Sequence, residues 1–311
     1  MAAADTAQRP CTQAAPLQLR AAYAVCRSIT RSQAKNFYYA FLVLPSRKRD
    51  ALCSVYAFMR QADDISDSSS LSDSDKRLRL EGLMESFHAV DAGKPTDDPV
   101  LLALSHARQR YKIPVHLLEK LVYGTTMDLE FAPAEARPGE PVVIYRTFEE
   151  LYRYCYHVAS VVGLVCIKIF GYHDPQAEKL AERCGVAFQL TNIIRDVKED
   201  AAMGRIYLPA EELKAQGLTP ADIAAGTDLV RIRPVLIAQA ERAREFYKSG
   251  RELINYIEDD SRPALWALVE IYSRLLEKIA KVNYNVFGEK VRLTTSEKIN
   301  VLAKGFARRL A

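Results

Sequence analysis

Apolar residues recur at intervals of three and four along most of the chain, which is the spacing of amphipathic α-helices. No run of alternating apolar and polar residues predicts a β-strand. The helical pattern breaks where Gly, Pro and Ser cluster, as at Pro45, Ser68–Ser70 and Gly171–Pro175. We therefore predict an all-α protein with helices over 17–30, 33–43, 46–67, 73–91, 97–110, 114–129, 147–170, 174–201, 209–215, 219–223, 228–258, 262–285 and 294–309.

Two of the segments outside the predicted helices bear on the domain organisation. Residues 1–16 include Asp5 and lack a charged region followed by an apolar stretch, so we expect a disordered tail instead of a signal peptide. Residues 132–141 are rich in Pro and could form a linker or a surface loop. We expect a surface loop within a single helical domain over 17–311. Two acidic clusters, one around Asp63 and one around Asp196, lie on either side of this loop in the sequence and need each other to form one site.

Composition excludes several classes of function. A net charge of +4 over 311 residues does not predict nucleic-acid binding. The six cysteines form no CxxC pair, which favours isolated reduced thiols and a cytoplasmic location. The most apolar run, Val158–Phe170, contains Lys168 and is too short to span a bilayer. We expect no transmembrane segment, while peripheral contact with a membrane surface stays open.

The first acidic cluster continues an apolar helix face. Asp63 and Asp67 are four residues apart, and Leu52, Tyr56 and Met59 extend the same face backwards. Carboxylates on an inward face need cations, and Mg²⁺ accepts carboxylate and phosphate oxygens as ligands. A solvent-exposed helix end followed by serines is the alternative. The DxDxDG pattern of a calcium-binding loop is absent, which argues against an EF-hand.

The second acidic cluster repeats this arrangement. Asn192, Asp196 and Asp200 form a row at steps of four, and that row continues an apolar stripe made by Leu180, Cys184 and Phe188. Arg195 and Arg205 flank the carboxylates, and Arg binds phosphate oxygens in bidentate geometry. An ordinary salt-bridged helix is the alternative. Two clusters of this kind together favour a metal-bridged diphosphate.

These motifs resemble the paired acidic motifs of the squalene/phytoene synthase family. The matching segments cover roughly residues 20–290 and are Arg60–Asp67, Asn192–Asp200, Phe37–Phe41 with Leu44–Pro45, Tyr56–Phe58, Met127–Leu129, Tyr154–Gly163 and Gly204–Pro209. The long loop after Glu130 departs from the family pattern. The resemblance implies the class I isoprenoid synthase fold, in which helices surround a deep central cavity.

The resemblance also implies a set of site residues. Asp63, Asp67, Asn192, Asp196 and Asp200 are expected to hold two or three Mg²⁺ ions with the substrate diphosphate. Tyr154 is expected to assist proton removal, with released diphosphate as another candidate base. The residues expected to contact substrate are Tyr56, Arg60, Gln189, Arg195, Arg205, Tyr272 and Lys290. Of these, Lys290 matches its family position only with a one-residue offset.

The expected reaction is the head-to-head condensation of two farnesyl diphosphates to presqualene diphosphate, with NADPH-dependent reduction to squalene left open. A phytoene synthase that uses C20 substrates is the first alternative. A terpene cyclase, a chain-elongating prenyl transferase and a non-enzymatic assembly protein are further alternatives. The depth of the cavity should set the chain length, with Phe37, Phe41 and the Val161–Val165 wall as candidates for its closed end.

Overall fold

The computed structural model describes residues 16–33, 35–130 and 141–310. Residues 1–15, which make up most of the predicted tail, lie outside this part of the chain. So do residues 131–140, which make up most of the predicted Pro-rich loop. Both predictions therefore stay predictions.

Helices account for nearly all of the regular structure, as the periodicity predicts. The first seven are α1 (Pro16–Gln33), α2 (Lys35–Phe41), α3 (Ser46–Ser66), α4 (Asp73–Asp91), α5 (Pro99–Tyr111), α6 (Val115–Glu130) and α7 (Phe148–Cys155). The other seven are α8 (Val161–Phe170), α9 (Gln176–Ala202), α10 (Ala210–Ala215), α11 (Pro220–Ala225), α12 (Leu229–Leu253), α13 (Arg262–Lys281) and α14 (Thr295–Leu310). The predicted all-α class is confirmed.

Several predicted helices differ in detail from the structure. The helix predicted over 228–258 ends at Leu253 and is followed by a 3₁₀ turn at Ile254–Tyr256. The segment predicted as one helix over 147–170 changes to a π-helical turn at Tyr156–Ser160, between α7 and α8. The helix predicted over 262–285 ends at Lys281, since Asn283 and Tyr284 adopt left-handed backbone angles with φ of 55° and 57°. The π-helical turn is too short for its effect on the periodicity to be read from the sequence. Asn283 is of a residue type that favours a left-handed helix end.

Helix α9 lies at the centre of the molecule. It packs along α12 and also contacts α8, α13 and the π-helical turn. Its buried positions therefore lie on several sides instead of one stripe, and they include the fully buried Leu190 and Ile194. Burial of one such side chain contributes about 1.5–3 kcal/mol. Helix α3, which carries the first acidic cluster, packs against α1 and α5.

Two short strands within the described part of the chain were not predicted. Strand β1 (Val142–Val143) pairs in parallel with β2 (Arg205–Ile206). The pair is extended by a hydrogen bond from the Val142 amide to the Gly204 carbonyl at 2.9 Å. Strands of two residues are too short for any alternation to be read from the sequence. Their effect is to hold the segment around Arg205 against the chain that follows the Pro-rich loop.

One stretch among the described residues is long and apolar enough to cross a membrane by length and composition alone. It is Phe148–Phe170, with a mean hydropathy of 1.3 over its most apolar window. The stretch is longer than the run considered in the sequence because α7, the π-helical turn and α8 are continuous. Val161, Val165 and Ile169 are fully buried in the core. This packing makes the stretch weak evidence for a membrane span.

Candidate active site

The acidic end of α3 places its two predicted carboxylates in different surroundings. Asp63 is half-buried, whereas Asp67 follows the last helical residue and is exposed. The expected burial is therefore found for Asp63 only, because the helix ends one residue before Asp67. Arg60 forms an ion pair with Asp64 one turn along the helix. Burial raises the pKa of Tyr56, which lies one turn further into the molecule.

The acidic end of α9 carries the second row. Asn192, Asp196 and Asp200 are all partly buried. Asp196 forms an ion pair with Arg195, and its Oδ1 lies 2.6 Å from the Lys290 ammonium. Burial opposes the charge of Asp196, but these two cations outweigh burial and lower the pKa of the carboxyl. The structure thus brings Lys290 to the acidic row across 94 positions of sequence.

An apolar cavity opens between α3, α8, α9 and α13. Four predicted site residues line it, namely Tyr56, Gln189, Asn192 and Tyr272. Most of the remaining lining is aliphatic or aromatic, and it includes the free thiols of Cys166 and Cys184. On α3 and α9 the acidic residues lie one turn beyond the last lining residues. Tyr272 interacts electrostatically with both Tyr56 on α3 and Asp196 on α9, so both carboxylate rows lie at the same end of the cavity, which we call the acidic mouth.

Close packing of backbone shapes one wall of the cavity. A Cβ added to Gly185 on α9 would lie 2.5 Å from the Ser160 Cα, so only Gly fits at this crossing. The Ser160 hydroxyl donates to the Glu182 carbonyl at 2.6 Å and fixes the same contact. The π-helical turn that ends at Ser160 places Val158 and Ala159 in the cavity lining. Such turns are frequent at functional sites.

Tyr154, the predicted proton acceptor, is not part of the cavity lining. It is buried within a group of three tyrosine rings, with ring centroids 5.0 Å from Tyr207 and 5.3 Å from Tyr145. The sequence analysis did not single out Tyr145 or Tyr207 as site residues. Tyr207 follows β2 and Tyr145 follows β1, so the strand pair brings both rings to Tyr154.

Tyr272 joins the cavity to the acidic mouth. Its ring stacks on Phe188 with centroids 4.5 Å apart. Burial raises the pKa of the Tyr272 hydroxyl, and the nearby Arg195 guanidinium opposes that rise. The hydroxyl therefore stays protonated at neutral pH, and an aromatic surface lies directly below the charged residues.

The oxygen atoms at the acidic mouth fit a hard divalent cation. Asn192 Oδ1 is buried and accepts no hydrogen bond within the described part of the chain. An unsatisfied amide oxygen beside carboxylates is a suitable Mg²⁺ ligand. No group of three or more His, Cys, Asp or Glu side chains among the described residues could hold a metal by itself. A Mg²⁺ ion here would need further oxygens, and a substrate diphosphate supplies them.

The family model for squalene/phytoene synthases matches residues 30–297, which includes both acidic rows and the cavity. The chain belongs to the squalene/phytoene synthase family. Members of this family are prenyl transferases that condense prenyl diphosphates head to head, so the protein is an enzyme of this type. The predicted family and its all-helical isoprenoid synthase fold are therefore confirmed.

Relatives within the squalene/phytoene synthase family carry different names. A phytoene synthase of Mycobacterium tuberculosis is 34% identical over 93% of this chain and 92% of its own length. A 15-cis-phytoene synthase of Synechococcus elongatus is 34% identical over 90% of this chain and 91% of its own. Both relatives are named phytoene synthases, which supports the assignment of this chain to the squalene/phytoene synthase family.

Two solved structures share the fold closely. A dehydrosqualene synthase crystallised with a ligand has a TM-score of 0.80 and 29% identity, covering 94% of this chain and 97% of that one. Squalene synthase HpnC from Alicyclobacillus acidocaldarius has a TM-score of 0.77 and 28% identity, covering 87% of this chain and 97% of that one. The comparisons therefore leave the choice between C15 and C20 substrates open within the family.

Proposed function

We propose that this synthase joins two C15 farnesyl diphosphates head to head into presqualene diphosphate, in a Mg²⁺-dependent reaction. The observation that carries the choice of C15 is the length of the apolar cavity. Its lining on α9 extends from Asn192 at the acidic mouth to Ala181 at the other end. At about 1.5 Å of rise per residue, this lining is roughly 16 Å long.

Extended prenyl chains can be compared with this length. An extended polypeptide spans about 3.3–3.6 Å for every three backbone bonds, and on the same scale the main chain of a C15 prenyl group reaches about 13 Å and that of a C20 group about 17 Å. The C15 chain fits within the cavity. The C20 chain is about as long as the cavity, so its end would press against the aromatic side chains of Phe41 and Phe170 at the closed end.

A phytoene synthase that condenses two C20 diphosphates is the second candidate. The names of the relatives that are 34% identical over most of the chain favour it. We rank it second because of the cavity length, and because the two similar solved structures are a dehydrosqualene synthase and a squalene synthase.

The acidic mouth would bind and activate the diphosphate. Arg60, Arg195, Arg205 and Lys290 offer cations to phosphate oxygens, while Asp63, Asp67, Asn192, Asp196 and Asp200 would hold the metal. Bound Mg²⁺ would neutralise the charge that develops on the departing diphosphate. The ion pairs of Arg195 and Lys290 with Asp196 keep these cations in position before substrate arrives. Such preorganisation lowers the cost of charge separation.

The apolar walls would protect the allylic cation that forms when diphosphate departs. Water would quench this cation, and the aliphatic lining excludes water. The faces of Tyr56, Phe188 and Tyr272 line the cavity just below the acidic mouth. Aromatic faces attract a cation by about 0.5–2 kcal/mol each. These rings therefore favour the cation at the point where the two substrates join.

Incubation of the purified protein with Mg²⁺ and one prenyl diphosphate at a time tests the proposal. Farnesyl diphosphate alone should give presqualene diphosphate, and geranylgeranyl diphosphate should react poorly. Parallel reactions with NADPH show whether squalene follows. Efficient phytoene formation with inert farnesyl diphosphate would replace C15 by C20, and loss of all turnover on Mg²⁺ removal is expected in either case.

A further inference from the structure

The closed end of the cavity is built where four helices begin or end. Phe41 is the last residue of α2, Phe170 is the last residue of α8, and Leu253 is the last residue of α12. Leu265 lies in the first turn of α13. All four side chains line the cavity and are buried. Because helix ends are joined by loops, the position of this closed end depends on how those loops are held together.

Two of these loops are joined by backbone contacts. Tyr172, after α8, forms an antiparallel bridge with Ile257, after α12. The Glu258 amide donates to the Gly171 carbonyl at 3.0 Å. Gly171 has φ +76°, and a Cβ there would lie 2.2 Å from the Glu258 carboxyl carbon. The Glu258 side chain therefore lies directly against the end of α8.

A single lysine completes this junction. Lys48, in the first turn of α3, donates to the Phe170 carbonyl at 2.7 Å and to the Glu258 carboxylate at 2.7 Å. The same ammonium contacts the Asp260 carboxylate at 2.6 Å and the Ser261 hydroxyl at 3.0 Å. The Lys48 side chain is 12% exposed. One ammonium therefore ties the start of α3 to the end of α8 and to the loop before α13.

The charges around Lys48 suit this position. The carbonyl end of α8 carries partial negative charge, and Glu258 and Asp260 add two carboxylates. Burial opposes the ammonium charge, but the bonds to these carboxylates outweigh burial and raise the pKa of Lys48. Without the ammonium, the two carboxylates and the helix end would repel one another. The loop below the cavity would then move away from α8.

We propose that Lys48 is a positioning residue that sets the depth of the cavity and so limits the length of the prenyl chain that reacts. By holding the Phe170 carbonyl against the loop that carries Glu258 and Asp260, it keeps the Phe170 ring at the closed end. The proposal rests on the head-to-head condensation of the family. It does not depend on whether C15 or C20 is the preferred substrate.

Substrate series with C15, C20 and C25 diphosphates test this role. For each variant, kcat/KM is measured for the chain that the unaltered protein prefers and for the chain one isoprene unit longer. Lys48→Met should raise the ratio of longer to preferred substrate by roughly tenfold, which corresponds to about 1.4 kcal/mol. The preference of the unaltered protein decides the proposed function separately.

Lys168→Met is the matched control. Lys168 lies on α8, the helix that ends at Phe170, and its ammonium bonds the Tyr172 hydroxyl and the Glu178 carboxylate instead of the Phe170 carbonyl. This variant should keep the original ratio. If Lys48→Met does not fold, Asp260→Asn should shift the ratio in the same direction. An unchanged ratio in a folded Lys48→Met protein, or an equal shift in Lys168→Met, would overturn the proposal.

Discussion

Asp196 shows how single residues are prepared for diphosphate chemistry. The carboxylate lies between the Arg195 guanidinium and the Lys290 ammonium, so its negative charge is compensated within the protein itself. The same three groups offer two cations and one anion to a metal-bound diphosphate. The negative charge of Asp196 is thus compensated by two neighbouring cations before substrate binds.

Asp196→Asn should abolish turnover while the fold is retained. The amide keeps the shape of the side chain but removes the charge that would hold Mg²⁺, and a fall in kcat of at least roughly 10²–10³-fold is expected. Circular dichroism and the melting temperature check the fold. Asp73→Asn, at an exposed site in the first turn of α4, is the control and should retain activity. Normal turnover in Asp196→Asn would remove Asp196 from the metal site.

Tyr154→Phe should leave substrate affinity unchanged and lower kcat. A positioned group that transfers a proton contributes on the order of 10²–10⁴-fold. The phenylalanine ring keeps the stacking with Tyr207 and Tyr145, so the loss would report on the hydroxyl alone. Tyr207→Phe removes the hydroxyl of the neighbouring ring in the same way and is the control variant. Full kcat in Tyr154→Phe would make Tyr154 a packing residue and favour released diphosphate as the base.

The contact between α9 and the π-helical turn is a feature of whole elements. The close approach of Gly185 to Ser160 leaves no space for a side chain between the two segments. The same two segments supply Ala159 and Gly185 to the cavity lining. A change in their separation would therefore alter both stability and the shape of the active site.

Gly185→Ala should destabilise the protein by about 1–3 kcal/mol and reduce kcat/KM, because backbone must move to admit the methyl group. Gly82→Ala on α4 is a matched change, since a Cβ there meets nothing within 4 Å. It should be neutral or add up to about 1 kcal/mol through helix propensity. Chemical denaturation measures the free energy of unfolding of both variants. Equal stability of the two variants would contradict the close contact described for Gly185.

At the scale of the whole molecule, the acidic mouth is assembled from distant parts of the chain. Asp63 comes from α3, Asn192 and Asp196 from α9, and Lys290 from the segment before α14. The native arrangement is needed to bring these groups together, so ligands that bind at the mouth should stabilise the native state as a whole.

Mg²⁺ and inorganic diphosphate together should raise the melting temperature. Ligand present at a hundredfold excess over its Kd stabilises the native state by about 2.7 kcal/mol. Thermal unfolding is followed with Mg²⁺ alone, diphosphate alone and both. The rise in melting temperature with both ligands should exceed the sum of the rises with each ligand alone, and Asp196→Asn should lose this excess. Simple additivity in the unaltered protein would argue against a metal-bridged diphosphate.

Much of the local structure was determined by the sequence alone. The predicted helix over 73–91 matches α4 at both ends, and the predictions for α3 and α9 differ from the structure by at most two residues. The acidic rows could also be found from the sequence, because residues at steps of four share a helix face whatever the rest of the chain does. Information of this kind lies within a few turns of one helix.

The tertiary structure alone decided which groups meet. Lys290 reaches Asp196 from another segment, and Lys48 reaches Glu258 across 210 positions. Tyr154 is expected to assist proton removal, yet the strand pair places it among tyrosine rings outside the cavity lining. The physical reason is that helical periodicity fixes only which face is buried. Contacts between faces depend on packing of the whole chain, which no local pattern encodes.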